Sequence, residues 1–367
     1  MKPFKIEVPQ QVLNDLSTRL KQTRWTDEPE NAGWNYGTNP TYLRELVTYW
    51  QNKYDWRKHE AEINQHPQFK AEIEGVTVHF VYVKGSGKSN SPLILTHGWP
   101  DSFYRYLKVI PALSAHFDVV IPSIPGFGFS QQTAMNVDRV AQVFNKLMTE
   151  VLGYKNYFAA GGDMGTEVTK SLAVQYPGNV NAIHLTDVGY PNGTEDWSTM
   201  TPEEQTFGQQ IQHWFFTEGA FNMIQSTKPQ TLGYGLNDSP VGLASWIIEK
   251  FYAWTDHDGN IESALSKDEL ITNIMIYWVS QSINSSVRVY AENARASYMG
   301  GLKSSQRSEV PAGISLFPKE AQFPKAWADR KVNVAKFTVM KKGGHFAALE
   351  VPEIYAGELI TFFGQQK

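Results

Sequence analysis

The stretch YFAAGGDMGTEV, from Tyr157 to Val168, decides the fold. It begins as an apolar run that ends in two glycines, continues with a lone aspartate, Asp163, and then enters a helix-forming segment. Small residues on both sides of one polar residue are typical of a tight turn from a buried strand into a helix, because the backbone at the tip is strained and the helix packs closely on the strand. The pattern therefore predicts a strand-to-helix turn with the Asp163 carboxylate at its tip.

Alternating strands and helices surround this turn. The apolar segments that read as buried strands are PLILT, FDVVIPS, NYFAA, NAIHLTDVG, AGISLFP and AKFTVM. They show no polar–apolar alternation and most are separated by amphipathic segments, so they predict a parallel sheet covered by helices on both faces. The earlier segment EIEGVTVHFVYVKG alternates with a period of two and predicts a hairpin that turns at Gly75.

The alternation of predicted strands and helices is interrupted once. Residues 190–306 are helical in pattern, rich in aromatic residues and without a clear strand. The predicted organisation is therefore an N-terminal extension with the first hairpin (1–88), the first part of an α/β core (89–189), a helical cap (190–306) and the second part of the core (307–367). Such an insertion would lie over the carboxyl ends of the strands, where open α/β sheets bind ligands.

The charge and composition of the chain argue against several classes of function. The formal charge of −4, without blocks of like charge, argues against nucleic acid or an anionic membrane as the main partner. Absence of cysteine excludes disulfides, thiol catalysis and cysteine-ligated metals. The N-terminus MKPFKIEVPQQ lacks the apolar region of a signal peptide, and no window resembles a membrane span. We therefore expect a soluble, cytoplasmic protein without a membrane anchor; its oligomeric state stays open, a homo-oligomer included.

The turn around Asp163 matches the nucleophile elbow of α/β-hydrolases, with aspartate in place of serine. A carboxylate can displace a leaving group from saturated carbon and form an alkyl ester, which a histidine-activated water must then hydrolyse. The alternative is that Asp163 only caps the following helix, since aspartate is a favoured N-cap.

Partners for such a nucleophile occur in the expected chain order. His345, in MKKGGHFAALE after the last strand, is the predicted base, and Glu320, in GISLFPKEA, is the predicted acid that orients the imidazole. The loop LTHGWPDS leaves the first buried strand, so the backbone N–H groups of Trp99 and Met164 are predicted to form an oxyanion hole.

These residues together resemble the epoxide hydrolases of the microsomal and juvenile-hormone type, over nearly the whole chain. The segments similar to that family are WRKHEAEINQHPQFKAEIEGVTVHFVYVKG, HGWPDSF, GGDMGTEV, STKPQTLGYGLNDSPVGLASWIIEKF, LFPKE and KGGHFAALEVPE. The resemblance implies an α/β-hydrolase core, mostly parallel, with a helical cap and an N-terminal meander. It also implies Asp163 as nucleophile, His345 as base, Glu320 as orienting acid, and no metal or organic cofactor.

The family opens a small-molecule epoxide with the help of two cap tyrosines. One matches Tyr290 in SSVRVYAENA, whereas the second matches Phe221, which cannot donate a hydrogen bond. Nearby polar residues that could replace it are Trp214, Gln225 and Tyr234. Phe221 and Trp99 are expected to contact the substrate, and the aromatic cap indicates an apolar epoxide.

Two alternatives remain from the sequence. A dehalogenase would use the same aspartate and histidine but needs N–H donors for the halide, and the residue after the nucleophile is Met164. A catalytically altered or silent relative is the other alternative, because Phe221 replaces one expected donor. A serine esterase is disfavoured because the elbow carries no serine.

Overall fold

The computed structural model describes residues 1–87, 91–191 and 195–366. Its centre is one sheet, in which the strands lie in the order β1-β2-β3-β5-β4-β6-β7-β8-β9. The strands are β1 (Lys2–Phe4), β2 (Gln68–Ile73), β3 (Val76–Val83), β4 (Ser91–Thr96), β5 (Phe117–Pro122), β6 (Tyr157–Gly161), β7 (Val180–Leu185), β8 (Ser308–Leu316) and β9 (Val332–Val339). Pairing is antiparallel from β1 to β3 and between β3 and β5, and parallel elsewhere.

The predicted α/β core is confirmed. The central strands β4, β5 and β6 carry consecutive buried side chains, as a sheet covered on both faces requires. The helices of the core are α4 (Ile110–Leu113), α5 (Val137–Lys146), α6 (Met164–Gln175), α13 (Lys325–Lys331), α14 (Ala347–Glu350) and α15 (Pro352–Gly364). Helix α5 packs on α6, while α15 packs on α4 and β7. The carboxyl ends of the parallel strands consequently meet at one edge of the sheet.

The chain between β7 and β8 forms helices, and no strand occurs among its described residues. They are α7 (Pro202–Thr217), α8 (Ala220–Thr227), α9 (Pro229–Asp238), α10 (Pro240–Trp254), α11 (Lys267–Ser280) and α12 (Ile283–Tyr298). Helix α12 packs against α8 and α9, and α10 packs against α9 and α11. Three of these helices begin with proline, which fits the first turn because its missing N–H has no partner there. The helices together form the cap.

Helices α1 (Gln10–Lys21), α2 (Pro40–Asn52) and α3 (Trp56–Ile63) hold the cap from outside. The Arg19 guanidinium lies 2.7 Å from the Asp238 carboxylate of α9. The Tyr49 hydroxyl donates to Asp268 of α11 at 2.9 Å. The loop between α1 and α2 adds an aromatic stack, in which the rings of Trp34 and Tyr252 lie 3.8 Å apart. The N-terminal extension is therefore a clamp on the cap.

Three local features differ from the sequence prediction. The short elements β1 and α3 are additional, and neither is long enough to show a clear periodicity. The segment SFYRYLKVIPAL is a 3₁₀ helix over Phe103–Val109 followed by α4, because Pro111 has no N–H to donate to the carbonyl of Leu107. No helix in the described ranges is both long and apolar enough to cross a membrane.

Candidate active site

Asp163 occupies the predicted turn between β6 and α6. Its backbone lies in the left-handed region, with φ 58° and ψ −130°, which is unfavourable for a residue with a side chain. The following helix passes so close to β4 that a Cβ atom on Gly165 would lie 2.0 Å from the Thr96 carbonyl oxygen. Close packing of helix on strand thus forces the carboxylate to the tip of the turn, at the carboxyl edge of the sheet.

The Asp163 side chain does not cap helix α6; no such hydrogen bond is found among the described residues. Asp187, just beyond β7, binds this end of the helix instead. Its Oδ2 accepts from the Asp163 N–H at 2.8 Å and from the Thr166 hydroxyl at 2.6 Å. Burial raises the pKa of Asp187 to about 7, and the nearby Glu320 carboxylate adds to the effect. Sequence reasoning missed Asp187, although a polar residue at the carboxyl end of a buried strand is the signal that could have found it.

One carboxylate oxygen of Asp163 is bound by the loop that follows β4. The Trp99 N–H donates to Oδ1 at 2.9 Å. A Cβ atom on Gly98 would lie 2.3 Å from the same oxygen, so only glycine allows this approach. Burial raises the pKa of Asp163, against the opposing effects of His345 and of the Trp99 and Met164 N–H groups. The two predicted oxyanion-hole donors thus both act on the Asp163 carboxylate.

His345 lies on the other side of the carboxylate. Its Nε2 is 3.7 Å from Asp163 Oδ2 and has no hydrogen-bond partner in the part of the chain that the structure describes. Its Nδ1 hydrogen-bonds to Glu320 Oε1, and the backbone N–H of His345 donates to the Trp254 carbonyl at 2.9 Å. Because Glu320 holds the proton on Nδ1, Nε2 is left as the free nitrogen facing Asp163.

The charges around His345 favour its protonated form. Burial opposes a charged imidazole, but the Glu320 carboxylate, with a contribution from Asp163, raises the pKa of His345 to about 9.

Arg105 links the loop that carries His345 to the loop that follows β4. Its Nη2 donates to the His345 carbonyl at 2.5 Å, and its Nη1 lies 2.6 Å from Asp101. Asp101 in turn accepts from the Gly98 N–H at 3.0 Å. The buried arginine therefore fixes the histidine loop relative to the loop that carries the Trp99 N–H.

A cavity of about 600 Å³ opens above Asp163, between the core and the cap. Nine of the 21 lining residues are aromatic, and polar side chains, Asp163, Glu320 and His345 among them, make up much of the rest. The aromatic residues that line it are Trp34, Tyr190, Phe207, Trp214, Phe215, Phe221, Tyr252, Trp254 and Tyr290. A largely apolar cavity with a few converging polar groups is typical of a small-molecule site.

Phe221 and Tyr290, from helices α8 and α12, lie together beside the nucleophile. Their ring centroids are 6.3 Å apart and nearly perpendicular. Phe221 also stacks on the indole of Trp99 at 5.5 Å. Since the Trp99 ring is fully buried behind Phe221, the backbone N–H of Trp99 is the part that reaches the site. Asp163 is close enough to Tyr290 to add to the effect of burial, which raises the pKa of this phenol well above its usual value.

The three residues that could replace the missing phenol lie in different places. Trp214 lines the cavity and contacts the Phe221 ring at 6.2 Å. Gln225 is buried and accepts from the Trp246 indole N–H at 3.1 Å, away from the lining. Tyr234 is 72% exposed on α9 and borders a separate surface cavity.

Trp34 and Tyr190 are among the cavity residues that the sequence reasoning missed. Trp34 reaches the lining from the N-terminal clamp, and no local pattern signals a contact between segments so distant in sequence. Tyr190 lies five residues beyond the end of β7; its place at the carboxyl edge was the available signal. In the described chain, no group of three His, Cys, Asp or Glu residues has an arrangement that could hold a metal ion.

Comparison with known proteins agrees with this architecture. Residues 1–106 match the family model for the epoxide hydrolase N terminus, and residues 91–227 match the model for the alpha/beta hydrolase fold. Epoxide hydrolase 1 of Sus scrofa is 36% identical over 410 residues, which cover 99% of this chain and 88% of the relative.

Solved structures agree over the full length. The crystal structure of juvenile hormone epoxide hydrolase from the silkworm Bombyx mori is 31% identical, covers 100% of this chain and 93% of its own, and has a TM-score of 0.86. The structure of Aspergillus niger epoxide hydrolase is 27% identical, with coverages of 100% and 96% and a TM-score of 0.87. With an aspartate elbow beneath an aromatic cavity and similarity that extends from end to end, the chain belongs to the epoxide hydrolases, hydrolytic enzymes of the α/β-hydrolase fold.

Proposed function

We propose that the protein opens an apolar epoxide to a vicinal diol through a covalent ester on Asp163, which is hydrolysed by water activated by His345. One observation carries the proposal. The Asp163 carboxylate lies at the floor of the aromatic cavity, with the Trp99 N–H on one oxygen and the free Nε2 of His345 at 3.7 Å from the other.

In the first step, a carboxylate oxygen of Asp163 attacks one carbon of the epoxide, and the bond from that carbon to the ring oxygen breaks. The ring oxygen becomes an alkoxide, which is a poor leaving group unless it accepts a hydrogen bond or a proton. Tyr290 lines the same cavity, and the raised pKa of its phenol keeps the proton available. We assign Tyr290 as a ring-opening donor.

In the second step, water attacks the ester carbonyl and loses a proton to His345 Nε2. Formation of the ester removes the negative charge of Asp163, which is one of the groups that raise the pKa of His345. The pKa therefore falls after the first step, which favours release of the imidazole proton to solvent and leaves a neutral base. The Trp99 and Met164 N–H groups, which face the Asp163 carboxylate, would bind the oxyanion formed at the ester carbonyl.

The cavity supports an apolar substrate. Its lining carries nine aromatic residues, and its volume of about 600 Å³ lies within the range of roughly 300–1,000 Å³ that drug-sized ligands occupy. Phe221 occupies the position that matches a family tyrosine, and its side chain offers no hydrogen-bond donor to a bound molecule.

The experiment is a single turnover with excess unlabelled enzyme in water enriched in heavy oxygen. We expect the first diol to contain no label and the Asp163 carboxylate to acquire it, because the new diol oxygen comes from the protein. Asp163→Asn should form neither ester nor diol, whereas Asp258→Asn, at an exposed loop position, should behave as wild type. Label in the first-turnover diol would mean direct attack by water and would refute the covalent mechanism.

A halide-displacing hydrolase is the second candidate, and Phe221 is the observation that favours it. Halide leaves saturated carbon without a proton, so a phenol is not needed at this position. Parallel assays of diol formation from epoxides and halide release from haloalkanes of the same carbon skeleton separate the two functions. A silent relative would show neither product and no adduct on Asp163.

A further inference from the structure

Tyr190 is a second phenol in the cavity that the ring-opening step leaves unused. It lies five residues beyond the end of β7, before the first helix of the cap, and lines the cavity with Asp163 and Tyr290. None of the residues in the described ranges hydrogen-bonds to the hydroxyl of Tyr190 or of Tyr290. No described residue therefore takes the proton of either phenol, and each can donate it to a molecule bound in the cavity.

The rings of the cavity connect Tyr190, through Trp214, to the position that lacks a phenol. Tyr190 lies 6.0 Å from Trp214, Trp214 lies 6.2 Å from Phe221, and Phe221 lies 6.3 Å from Tyr290, measured between ring centroids. The two phenols thus stand at the two ends of one aromatic series, with Phe221 inside it. Tyr290 lies on helix α12 of the cap, whereas Tyr190 follows strand β7 of the core sheet.

The backbone before Tyr190 is fixed on both sides. The Gly189 carbonyl accepts from the Trp327 indole N–H at 2.9 Å, and the Gly189 N–H donates to Asp187 Oδ1 at 3.3 Å. Asp187 is the same residue that binds the N–H of Asp163 at 2.8 Å. One carboxylate consequently positions both the nucleophile and the chain that carries Tyr190, as a preorganised site requires.

The charges near Tyr190 keep it protonated. Burial raises the pKa of this phenol well above its usual value, and the Glu320, Asp187 and Asp163 carboxylates raise it further. The phenol is therefore a hydrogen-bond donor throughout the physiological pH range.

We propose that Tyr190 is a further catalytic residue, which donates to the epoxide oxygen together with Tyr290 and so replaces the phenol absent at Phe221. The inference rests on the proposed function. As the Asp163–carbon bond forms and the carbon–oxygen bond breaks, a phenol gives its proton to the ring oxygen and becomes a phenolate. In the ester hydrolysis that follows, the product alkoxide leaves with the proton of the regenerated carboxylic acid. The proton that His345 took from water then returns to the phenolate.

The test compares two alkylations of Asp163 in wild type and in Tyr190→Phe. Styrene oxide needs a donor for its leaving oxygen, whereas phenacyl bromide, of similar size, releases bromide without a proton. The amount of adduct on Asp163 is followed by rapid quench and mass spectrometry. We expect Tyr190→Phe to alkylate roughly tenfold or more slowly with styrene oxide and less than about twofold more slowly with phenacyl bromide.

Two further variants complete the design. Tyr234→Phe, which removes an exposed phenol outside the cavity, should match wild type with both reagents. The double variant Tyr190→Phe/Phe221→Tyr should recover much of the styrene oxide rate, because a phenol is restored beside Tyr290, two positions along the aromatic series.

The outcomes separate the inference from the proposed function. If wild type forms the ester and Tyr190→Phe forms it equally fast, the donor role of Tyr190 is refuted while the proposed function stands. Equal slowing with both reagents would indicate a role in packing and would also overturn the inference. If wild type forms no ester with styrene oxide, 1,2-epoxyhexane or cyclohexene oxide, the proposed function itself fails and Tyr190 loses its role with it.

Discussion

Replacement of Glu320 by glutamine separates the two chemical steps. The Glu320 carboxylate is buried against His345 Nδ1 and is a main reason why the pKa of that imidazole rises from 6.5 to about 9. A rise of this size corresponds to about 3 kcal/mol in favour of the protonated imidazole. Glutamine keeps the shape of the side chain but loses the charge, and its amide can donate to Nδ1. The proton would then lie on Nε2, where the base must be free.

We expect the hydrolysis of the Asp163 ester in Glu320→Gln to slow by about 10²–10⁴-fold, by analogy with loss of the orienting acid in a catalytic triad. Ester formation does not use the imidazole as a base, so its rate should change by less than roughly tenfold. The ester should therefore accumulate in a burst that nearly equals the enzyme concentration.

Stopped-flow tryptophan fluorescence can follow both steps, because the Trp254 ring lies 5.0 Å from the His345 ring. Rapid quench and mass spectrometry of the Asp163 peptide would quantify the ester independently. Glu353→Gln, at an exposed position in the first turn of α15, is the matched control and should behave as wild type. Wild-type hydrolysis in Glu320→Gln without accumulation of ester would show that Glu320 does not control the base.

Three more predictions follow from the same geometry. His345→Gln should form the ester at close to the wild-type rate and then stop, so intact-protein mass spectrometry should show one substrate mass per chain; continued turnover would exclude His345 as the base. Gly98→Ala should slow ester formation by roughly 10²-fold or more, because the new Cβ would lie 2.3 Å from Asp163 Oδ1, and its circular dichroism should stay native. In wild type, the rate of ester formation should fall as the pH drops through the raised pKa of Asp163. The rate should not fall on the alkaline side up to about pH 9, because burial raises the pKa of Tyr290 well above its usual value. Single-turnover rates across this range test the last prediction, and an alkaline decline that disappears in Tyr290→Phe would contradict it.

Much of the fold could be predicted because its signals are local. The buried strands, the hairpin at Gly75, the elbow around Asp163 and the helical cap each appear as a periodicity or a small-residue pattern in one segment. Elements too short for a period, such as β1 and α3, could not be recognised in this way.

The proximity of His345 and Glu320 to Asp163 could be predicted, because each of the two residues follows a strand that ends at the same edge of the sheet. Asp187 and Tyr190 also follow a strand, but their roles depend on contacts with Asp163 and Trp214 from elsewhere in the chain. Trp34 reaches the cavity only through its stacking on Tyr252 of the cap. Such long-range packing leaves no trace in a single segment, so tertiary structure was needed to identify these residues.

Trp34 lines the cavity from a loop that carries none of the proposed catalytic residues. This ring forms part of the cavity wall, yet residues 22–39 share no backbone with the elbow, the histidine loop or the acid. Variation in that outer loop can therefore change which molecules enter while the reacting groups keep their alignment. Loop grafting between homologues at this point offers a route to altered selectivity that leaves the catalytic residues untouched.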